Sequence, residues 1–211
     1  MTLLSEPCAA AAMTSLITAS IAAWAPQSLL GALDLTASKG WQLGLWTGML
    51  GAAVLAQALL NPLNPWLAAA LSLLVIACVA VAFYDAAFLL IPNILTLGIA
   101  LAALLFWHAG TATPSLWGAA LCGGLLAAVA WAWHQAKGAD GLGQGDIKLA
   151  AAFGLVLGLE AGLWMVAAAA SSGALWAMIM SRLNPEGEVP LVPFGLFLAL
   201  AGGGLTLARS L

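Results

Sequence analysis

The chain has 211 residues, of which 64% are hydrophobic and 6% are charged, and its formal net charge is −3. Soluble globular domains carry about 25% charged residues, so this composition excludes a soluble globular protein and indicates an integral membrane protein. The weak negative charge gives no basic surface of the kind that binds nucleic acid. Apolar runs of helical length predict an all-α, polytopic membrane helix bundle, because a backbone in lipid must satisfy its own hydrogen bonds.

The apolar runs predict about eight transmembrane helices, since one span needs about 20 apolar residues. In chain order they lie at roughly 9–32, 41–60, 66–84, 90–108, 115–134, 147–162, 163–181 and 190–209. The sixth and seventh runs are continuous, and Glu160 and Gly162 mark the predicted turn between them. Because no polar stretch is long enough for a soluble domain, we predict one integral membrane domain over 1–211.

The basic residues predict the orientation of these spans in the bilayer. In an eight-span arrangement Arg209 lies on one side, and the other side holds Lys39, Lys137, Lys148 and Arg182. Lys and Arg concentrate in cytoplasmic loops, so the side with four basic residues is predicted to be cytosolic. Both termini are then predicted to lie outside the cytosol.

Small residues within the sixth predicted span indicate close packing between helices. Gly154, Gly158 and Gly162 recur every four residues, which places them on one helix face. Such a face lets a second helix approach closely. We expect this packing to occur within the chain and not at a dimer interface.

Two aspartates stand where polar loops meet apolar runs. Asp85 ends the third predicted span, and Asp146 opens the sixth after the sequence Gly143-Gln144-Gly145. The predicted topology places both carboxyls at a similar depth on the cytosolic side. Two carboxyls about 3 Å apart share a proton, so one can activate a water while the other polarises a carbonyl. The pattern therefore allows aspartic-protease chemistry, which needs no metal and no cofactor.

Simpler roles are also open for both aspartates. Asp85 can reach the interface or pair with Lys137 or Lys148, and Asp146 can cap the N-terminus of the sixth span. A cap does not require the two flanking glycines, which indicate a tight turn or a close approach to the backbone. Carboxylates in a membrane can also serve a proton or ion translocator, which is an alternative to an enzyme.

Three sequence blocks resemble those of the type IV prepilin peptidases, which are membrane aspartic proteases with a GxGD motif. The blocks are GQGDIKL at 143–149, Asp85 followed by Pro92 and Asn93, and Pro193-Phe194-Gly195. They occur in the family's order, and the first resembles its GxGDxKL motif. The resemblance covers about 66–209, the predicted peptidase core, and leaves 1–60 as divergent N-terminal spans.

The resemblance implies that Asp85 and Asp146 are the catalytic pair. The residues expected to support them are Gly143, Gly145, Lys148, Pro92, Asn93, Pro193, Phe194 and Gly195. The implied reaction is hydrolysis of the basic leader peptide of type IV pilin-like or pseudopilin precursors at the cytosolic face of a bacterial inner membrane. Such precursors are membrane-embedded helices. An inactive assembly factor of a pilus or secretion system is a further alternative.

One departure from the family changes the expected activity. Longer members carry a cytosolic domain between their first two spans, often with paired CxxC motifs, and also N-methylate the new N-terminus. Here that connection is a short segment around 34–40 without cysteine. We therefore expect a short form with peptidase activity and without N-methyltransferase activity.

The supporting residues carry alternatives of their own. Pro92 is expected to start or kink the fourth span. Asn93 is expected to satisfy backbone groups or to orient the aspartates. Lys148 is expected to anchor on anionic headgroups or to contribute to the electrostatic field of the site. The glycine-rich segment 135–146 is expected to close over the site, and Glu160 to lie at the opposite interface.

Overall fold

The computed structural model describes residues 64–138, 141–183 and 192–210, and their regular secondary structure is helical throughout. In chain order the helices are α1 Pro65–Phe88, α2 Asn93–His108, α3 Leu116–Lys137, α4 Gln144–Leu183 and α5 Phe194–Ser210. The all-α prediction is therefore confirmed for this part of the chain. The predicted spans at 9–32 and 41–60 lie outside the described residues.

Three of these helices are long and apolar enough to cross a membrane. They are α1, α3 and α4, with 24, 22 and 40 residues. The shorter apolar helices α2 and α5 have 16 and 17 residues, which correspond to about 24 and 26 Å of rise. The predicted total of about eight spans is not confirmed and remains a prediction.

Helix α4 consists of two arms that fold back on each other at Gly158. The backbone of Gly158 has φ 79° and ψ −174°, values that only glycine adopts readily. A methyl group on Gly162 would lie 3.5 Å from the Cα of Gly154. In a straight helix, residues eight apart are separated by about 12 Å. The predicted division of this run into two helices agrees with the arms 144–157 and 159–183, while the crossing of the membrane by each arm stays a prediction. The turn predicted at Glu160 and Gly162 is wrong, because those residues belong to the second arm.

Helices α1 and α2 form an antiparallel pair. The side chain of Asn64 caps α1 by accepting hydrogen bonds from the amides of Trp66 and Leu67. The same side chain donates from Nδ2 to the carbonyl oxygen of Ala109, 3.1 Å away, at the end of α2. The rings of Trp66 and His108 pack edge to face with centroids 4.3 Å apart. The start of α1 is therefore fixed beside the end of α2.

The first arm of α4 packs against both α3 and α5. Gly118 of α3 and Gly154 of α4 are in backbone contact, and a methyl group on either would overlap the other helix. The amide of Ser115 donates to the carbonyl oxygen of Leu155 at 2.9 Å. On the other side, Gly202 of α5 packs on the buried ring of Phe153. The predicted close packing within the chain is thus confirmed for Gly154, but the prediction that Gly154, Gly158 and Gly162 share one helix face is wrong, because the helix breaks at Gly158.

These contacts give the described bundle two ends. The aspartate end holds the C-terminus of α1 and the N-termini of α2, α4 and α5, where Asp85 and Asp146 lie. The Arg209 end holds the break at Gly158, the α2–α3 connection and the C-terminus of α5, where Arg209 lies. The separation of Lys148 from Arg209 to opposite ends agrees with the division of basic residues expected from the sequence.

Candidate active site

Asp85 lies in the last turn of α1, and its side chain contacts the N-terminus of α5. The residue is only 4% exposed, and its Oδ2 accepts a hydrogen bond from the amide of Leu196 at 2.9 Å. Leu196 is the third residue of α5, so its amide belongs to the first turn, whose N–H groups have no partner within the helix. The positive end of a helix also attracts a carboxylate. The carboxyl of Asp85 is therefore bonded to a helix end and not to Lys137 or Lys148.

Asp146 is the third residue of α4 and is 8% exposed. Asp146 lies in the first turn of α4, three residues after Gly143, and its carboxyl interacts with the backbone of Gly143. This is the spacing at which an acidic side chain reaches back to the start of a helix, so the capping role stays open beside a catalytic one. The amide of Asp146 donates to the carbonyl oxygen of Gly143 at 3.1 Å. Among the residues that the structure describes, its Oδ1 is buried without a hydrogen-bond partner. Buried polar atoms normally have one, so this oxygen has an unused capacity for a hydrogen bond.

Ile91 lies between the start of α4 and the start of α5. A methyl group on Gly145 would lie 2.9 Å from the Cβ of Ile91. On the other side, a methyl group on Gly195 would overlap Ile91 and lie 3.1 Å from the Cγ of Asp85. The carboxyls of Asp85 and Asp146 are near enough to interact electrostatically. The structure thus brings the two aspartates together at one end of the bundle.

Asn93, at the start of α2, and Lys148, in the first arm of α4, join these two helices near the aspartates. Pro92 immediately precedes α2 with φ −62°, so its expected role in starting a helix is confirmed. Lys148 donates from Nζ to Oδ1 of Asn93 at 3.0 Å, in an exposed position. Among the described residues, Lys148 is the hydrogen-bond partner of the Asn93 side chain, and no hydrogen bond joins this side chain to either aspartate or to a backbone group. Gly143 lies against Asp146, where a methyl group would be 3.2 Å from Oδ2.

The Pro-Phe-Gly block sets the position of α5. Pro193 precedes the helix, Phe194 is its first residue, and Gly195 faces the carboxyl of Asp85. Because a larger residue at 195 would collide with that carboxyl, the glycine lets the amide of Leu196 come within hydrogen-bond distance. The block therefore brings the N-terminus of α5 against Asp85.

Two groups at the site were missed in the sequence: the side chain of Ile91 and the backbone amide of Leu196. The glycines at 145 and 195 indicated a close approach but not which side chain would fill it. A backbone amide leaves no residue-specific pattern, so the bond to Asp85 had no signal in the sequence.

The segment 135–146 is only partly a loop. Its first residues end α3 at Lys137, its last residues begin α4 at Gln144, and Gly141 packs against the ring of Trp133. Residues 139–140 lie outside the described part of the chain, and closure over the site stays a prediction. Glu160 is exposed and follows the break at Gly158, which is the end opposite to the aspartates, as expected.

Comparison with known proteins finds a matching family and curated relatives. Residues 72–178 match a family model described as the type IV leader peptidase family. Curated relatives named prepilin leader peptidase/N-methyltransferase include one from Aeromonas salmonicida, which is 33% identical over 156 residues, covering 71% of this chain and 53% of the relative. Another, from Pseudomonas aeruginosa, is 33% identical over 141 residues, which cover 65% of this chain and 48% of the relative. A third, from Burkholderia pseudomallei, is 40% identical over 105 residues, which cover 44% of this chain and 33% of the relative.

The match is partial for these relatives. The chain spans about half the length of the first two, from Aeromonas salmonicida and Pseudomonas aeruginosa. The family model covers both Asp85 and Asp146, together with α2, α3 and most of α4. No solved structure matches the chain.

Proposed function

The chain belongs to the type IV leader peptidase family, and on that premise we propose that it is a membrane-embedded aspartic endopeptidase acting on type IV prepilin-like precursors. The observation that carries the proposal is that Asp85 and Asp146 are both buried at the same end of the bundle, where Ile91 lies against Gly145 and Gly195. Both residues are buried, although ionisable side chains in a membrane segment are unfavourable without a function.

The contacts of the two carboxyls suggest different roles for them. Asp85 accepts a hydrogen bond from the amide of Leu196 at the positive end of α5, which stabilises a negative charge. Asp146 has a buried Oδ1 without a donor among the described residues, and this arrangement suits the member that holds the shared proton. We assign Asp85 the role of general base and Asp146 the role of general acid.

The reaction then needs only the two aspartates and one water. The oxygen of the water attacks the carbonyl carbon of the scissile peptide bond while Asp85 takes a proton from this water. At the same time Asp146 protonates the carbonyl oxygen. The tetrahedral intermediate collapses with cleavage of the C–N bond. The leaving nitrogen takes the proton from Asp85, and Asp146 recovers its proton from the intermediate's hydroxyl. The products are the leader's carboxyl end and the amine of the mature protein.

The position of the site suits a precursor that is itself a membrane helix. Both aspartates lie within a turn of a helix end, Asp85 near the end of α1 and Asp146 near the start of α4. A helix lying beside the bundle can therefore place the junction with its leader at the aspartate end. Together with the basic residues, this supports cleavage at the cytosolic face of a bacterial inner membrane.

The proposal is restricted to leader cleavage. The relatives' names include N-methyltransferase activity. The segment around 34–40 has no cysteine, unlike the CxxC-bearing domain of longer family members, and it lies outside the described residues. We therefore propose a peptidase without methyl transfer.

Conservative substitution of either aspartate tests the proposal. A prepilin-like precursor is co-expressed with Asp85→Asn or Asp146→Asn, and leader removal is followed by the size of the precursor and by N-terminal mass. Loss of a general acid or base is expected to lower the cleavage rate by about 10²–10⁴-fold. Glu160→Gln is the matched control, because Glu160 is an exposed acid at the other end of the bundle.

Two outcomes would contradict the peptidase. One is a normal cleavage rate with either aspartate variant. The other is an absence of cleavage by the unmodified chain, combined with proton flux into proteoliposomes that the same substitutions remove. The second result would favour the translocator alternative.

A further inference from the structure

The Arg209 end of the bundle contains a cavity that is separate from the aspartates. Its volume is about 450 Å³, and its lining includes Thr111, Thr113, Ser115, Gly158, Thr206 and Arg209. None of these residues contacts Asp85 or Asp146. Along the first arm of α4, Leu157 of the lining is about 16 Å from Asp146. The leader-cleaving site therefore does not explain the cavity.

Arg209 supplies the positive charge of this cavity. Its Nη1 donates to the carbonyl oxygen of Leu157 at 2.8 Å, and its other guanidinium N–H groups have no hydrogen-bond partner in the part of the chain that the structure describes. Within the described ranges, no carboxylate forms an ion pair with Arg209, and Glu160 beyond the break is exposed to solvent. A guanidinium presents its donors in a planar fork that matches phosphate oxygens.

Three carbonyl oxygens at the helix ends around the cavity already accept hydrogen bonds. The carbonyl of Leu155 accepts from the amide of Ser115, and that of Leu157 accepts from Arg209. The carbonyl of Phe106 accepts from the amide and the hydroxyl of Thr111. These three acceptors are therefore already paired with donors of the protein.

Hydroxyl groups add donors beside the guanidinium. The Oγ of Ser115 accepts a hydrogen bond from the amide of Gly118 at 3.0 Å, so its own proton is free to be donated. Thr113 is exposed on the connection between α2 and α3. A guanidinium group with neighbouring hydroxyl donors is suited to binding an anion that has several acceptor oxygens.

We propose that this cavity binds a phosphate group, with Arg209 as its principal ligand. Its volume lies within the range of about 300–1,000 Å³ that is typical of small-ligand sites. The head group of a phospholipid in the surrounding bilayer is one source of the phosphate. Free inorganic phosphate is the other. The proposal does not depend on the peptidase activity.

Binding is measured on the full chain purified in detergent, by native mass spectrometry after incubation with phosphatidylglycerol or with diacylglycerol, which lacks phosphate. Inorganic phosphate is titrated separately by calorimetry. Phosphatidylglycerol is expected to remain bound and diacylglycerol to be lost. Arg209→Gln is expected to weaken phosphate binding by at least about 10-fold, because it removes a charge-assisted hydrogen-bond donor. Arg182→Gln is the matched control, since Arg182 is an exposed arginine in the last turn of α4.

A second pair of variants keeps the test informative if loss of the bond to Leu157 unfolds the protein. Thr113→Glu places a carboxylate at the cavity while retaining Arg209, and is expected to abolish phosphate binding. Thr113→Gln has a similar size without the charge and is expected to bind normally. Binding of phosphatidylglycerol alone identifies a lipid head group, and binding of inorganic phosphate alone identifies the free ion. Equal binding by Thr113→Glu and Thr113→Gln, or no binding by the unmodified chain, would overturn the proposal.

Discussion

The carboxyl of Asp85 is held by a backbone amide, and this has consequences for the residues around it. Its Oδ2 lies 2.9 Å from the amide of Leu196, and Gly195 leaves the space for that approach. A side-chain partner could adjust through its rotamers, whereas an amide in the first turn of a helix has a fixed direction. The position of the Asp85 carboxyl therefore depends on where α5 begins. The Pro-Phe-Gly block sets that start, so we expect the block to affect catalysis by positioning Asp85 and not by contacting substrate.

A methyl group at position 195 is expected to disturb this geometry. In Gly195→Ala the new Cβ would overlap Cδ1 of Ile91 and lie 3.1 Å from the Cγ of Asp85, so the Ile91 side chain must shift and the carboxyl must give by a few tenths of an ångström. Displacement of a catalytic group by about 1 Å can lower the rate about 100-fold, so for this smaller shift we expect a loss of up to about 10-fold in leader cleavage. The rate is measured with the purified enzyme and a precursor at saturating concentration.

Gly204→Ala provides the matched control in the same helix, since a methyl group there has no neighbour within 4 Å. Its cleavage rate is expected to stay close to that of the unmodified chain. If Gly195→Ala also retained full activity, the positioning of Asp85 by the N-terminus of α5 would be contradicted.

At the scale of single elements, the break in α4 determines how the bundle is packed. Leu155 and Leu157, just before the break, are bonded through their carbonyls to Ser115 and Arg209 respectively. The break therefore ends the first arm where α3 begins and α5 ends. The fold-back lets both arms of α4 contribute to the core, with Phe153 from the first and Met165 from the second fully buried.

Alanine at Gly158 is expected to destabilise the fold. With φ 79° and ψ −174°, a residue with a Cβ is strained by about 1–3 kcal/mol, whatever space surrounds it. The measurement is the thermal midpoint of unfolding in detergent, followed by circular dichroism. We expect Gly158→Ala to lower the thermal midpoint by several degrees. The control Gly124→Ala in α3 is expected to leave the midpoint unchanged or slightly raised, because a methyl group on Gly124 has no neighbour within 4 Å. Equal midpoints for the two variants would show that the backbone at 158 relaxes without strain.

The sequence predicts the packing of α4 better than its turn. Glycines every four residues indicate a face for close packing, and Gly154 and Gly162 indeed lie at such contacts. The same pattern cannot show which glycine adopts a positive φ, because all three satisfy the spacing equally. Glu160 did not identify the turn, because a polar residue can be exposed both in a turn and in the helix that follows it.

A similar limit applies to the candidate site. Asp85 and Asp146 could be predicted because carboxyls stand out against an apolar sequence, and their family motifs are local. The pairing of Lys148 with Asn93 joins residues 55 apart, and the bond from Leu196 to Asp85 joins residues 111 apart. Both depend on how α2, α4 and α5 assemble, which no local pattern specifies.

At the scale of the whole molecule, the two ends of the bundle have different chemistry. The aspartate end holds the buried acids together with Lys148, while the Arg209 end holds a donor-rich cavity. If the proposed orientation is right, leader cleavage occurs at the cytosolic face and phosphate binding at the opposite face. The two proposals thus share one requirement, which is that residues at the two ends are accessible from different sides of the membrane.

Accessibility of introduced thiols tests this requirement. The three native cysteines are replaced by alanine, and Thr113→Cys or Lys137→Cys then supplies one exposed thiol at the Arg209 end or after α3, respectively. A membrane-impermeant maleimide added to intact spheroplasts is expected to label the thiol at position 113. The thiol at position 137 is expected to react only after the membrane is permeabilised, because the basic residues near the aspartate end favour the cytosol. The opposite pattern would place the aspartates outside the cytosol, where the proposed precursor does not present its leader.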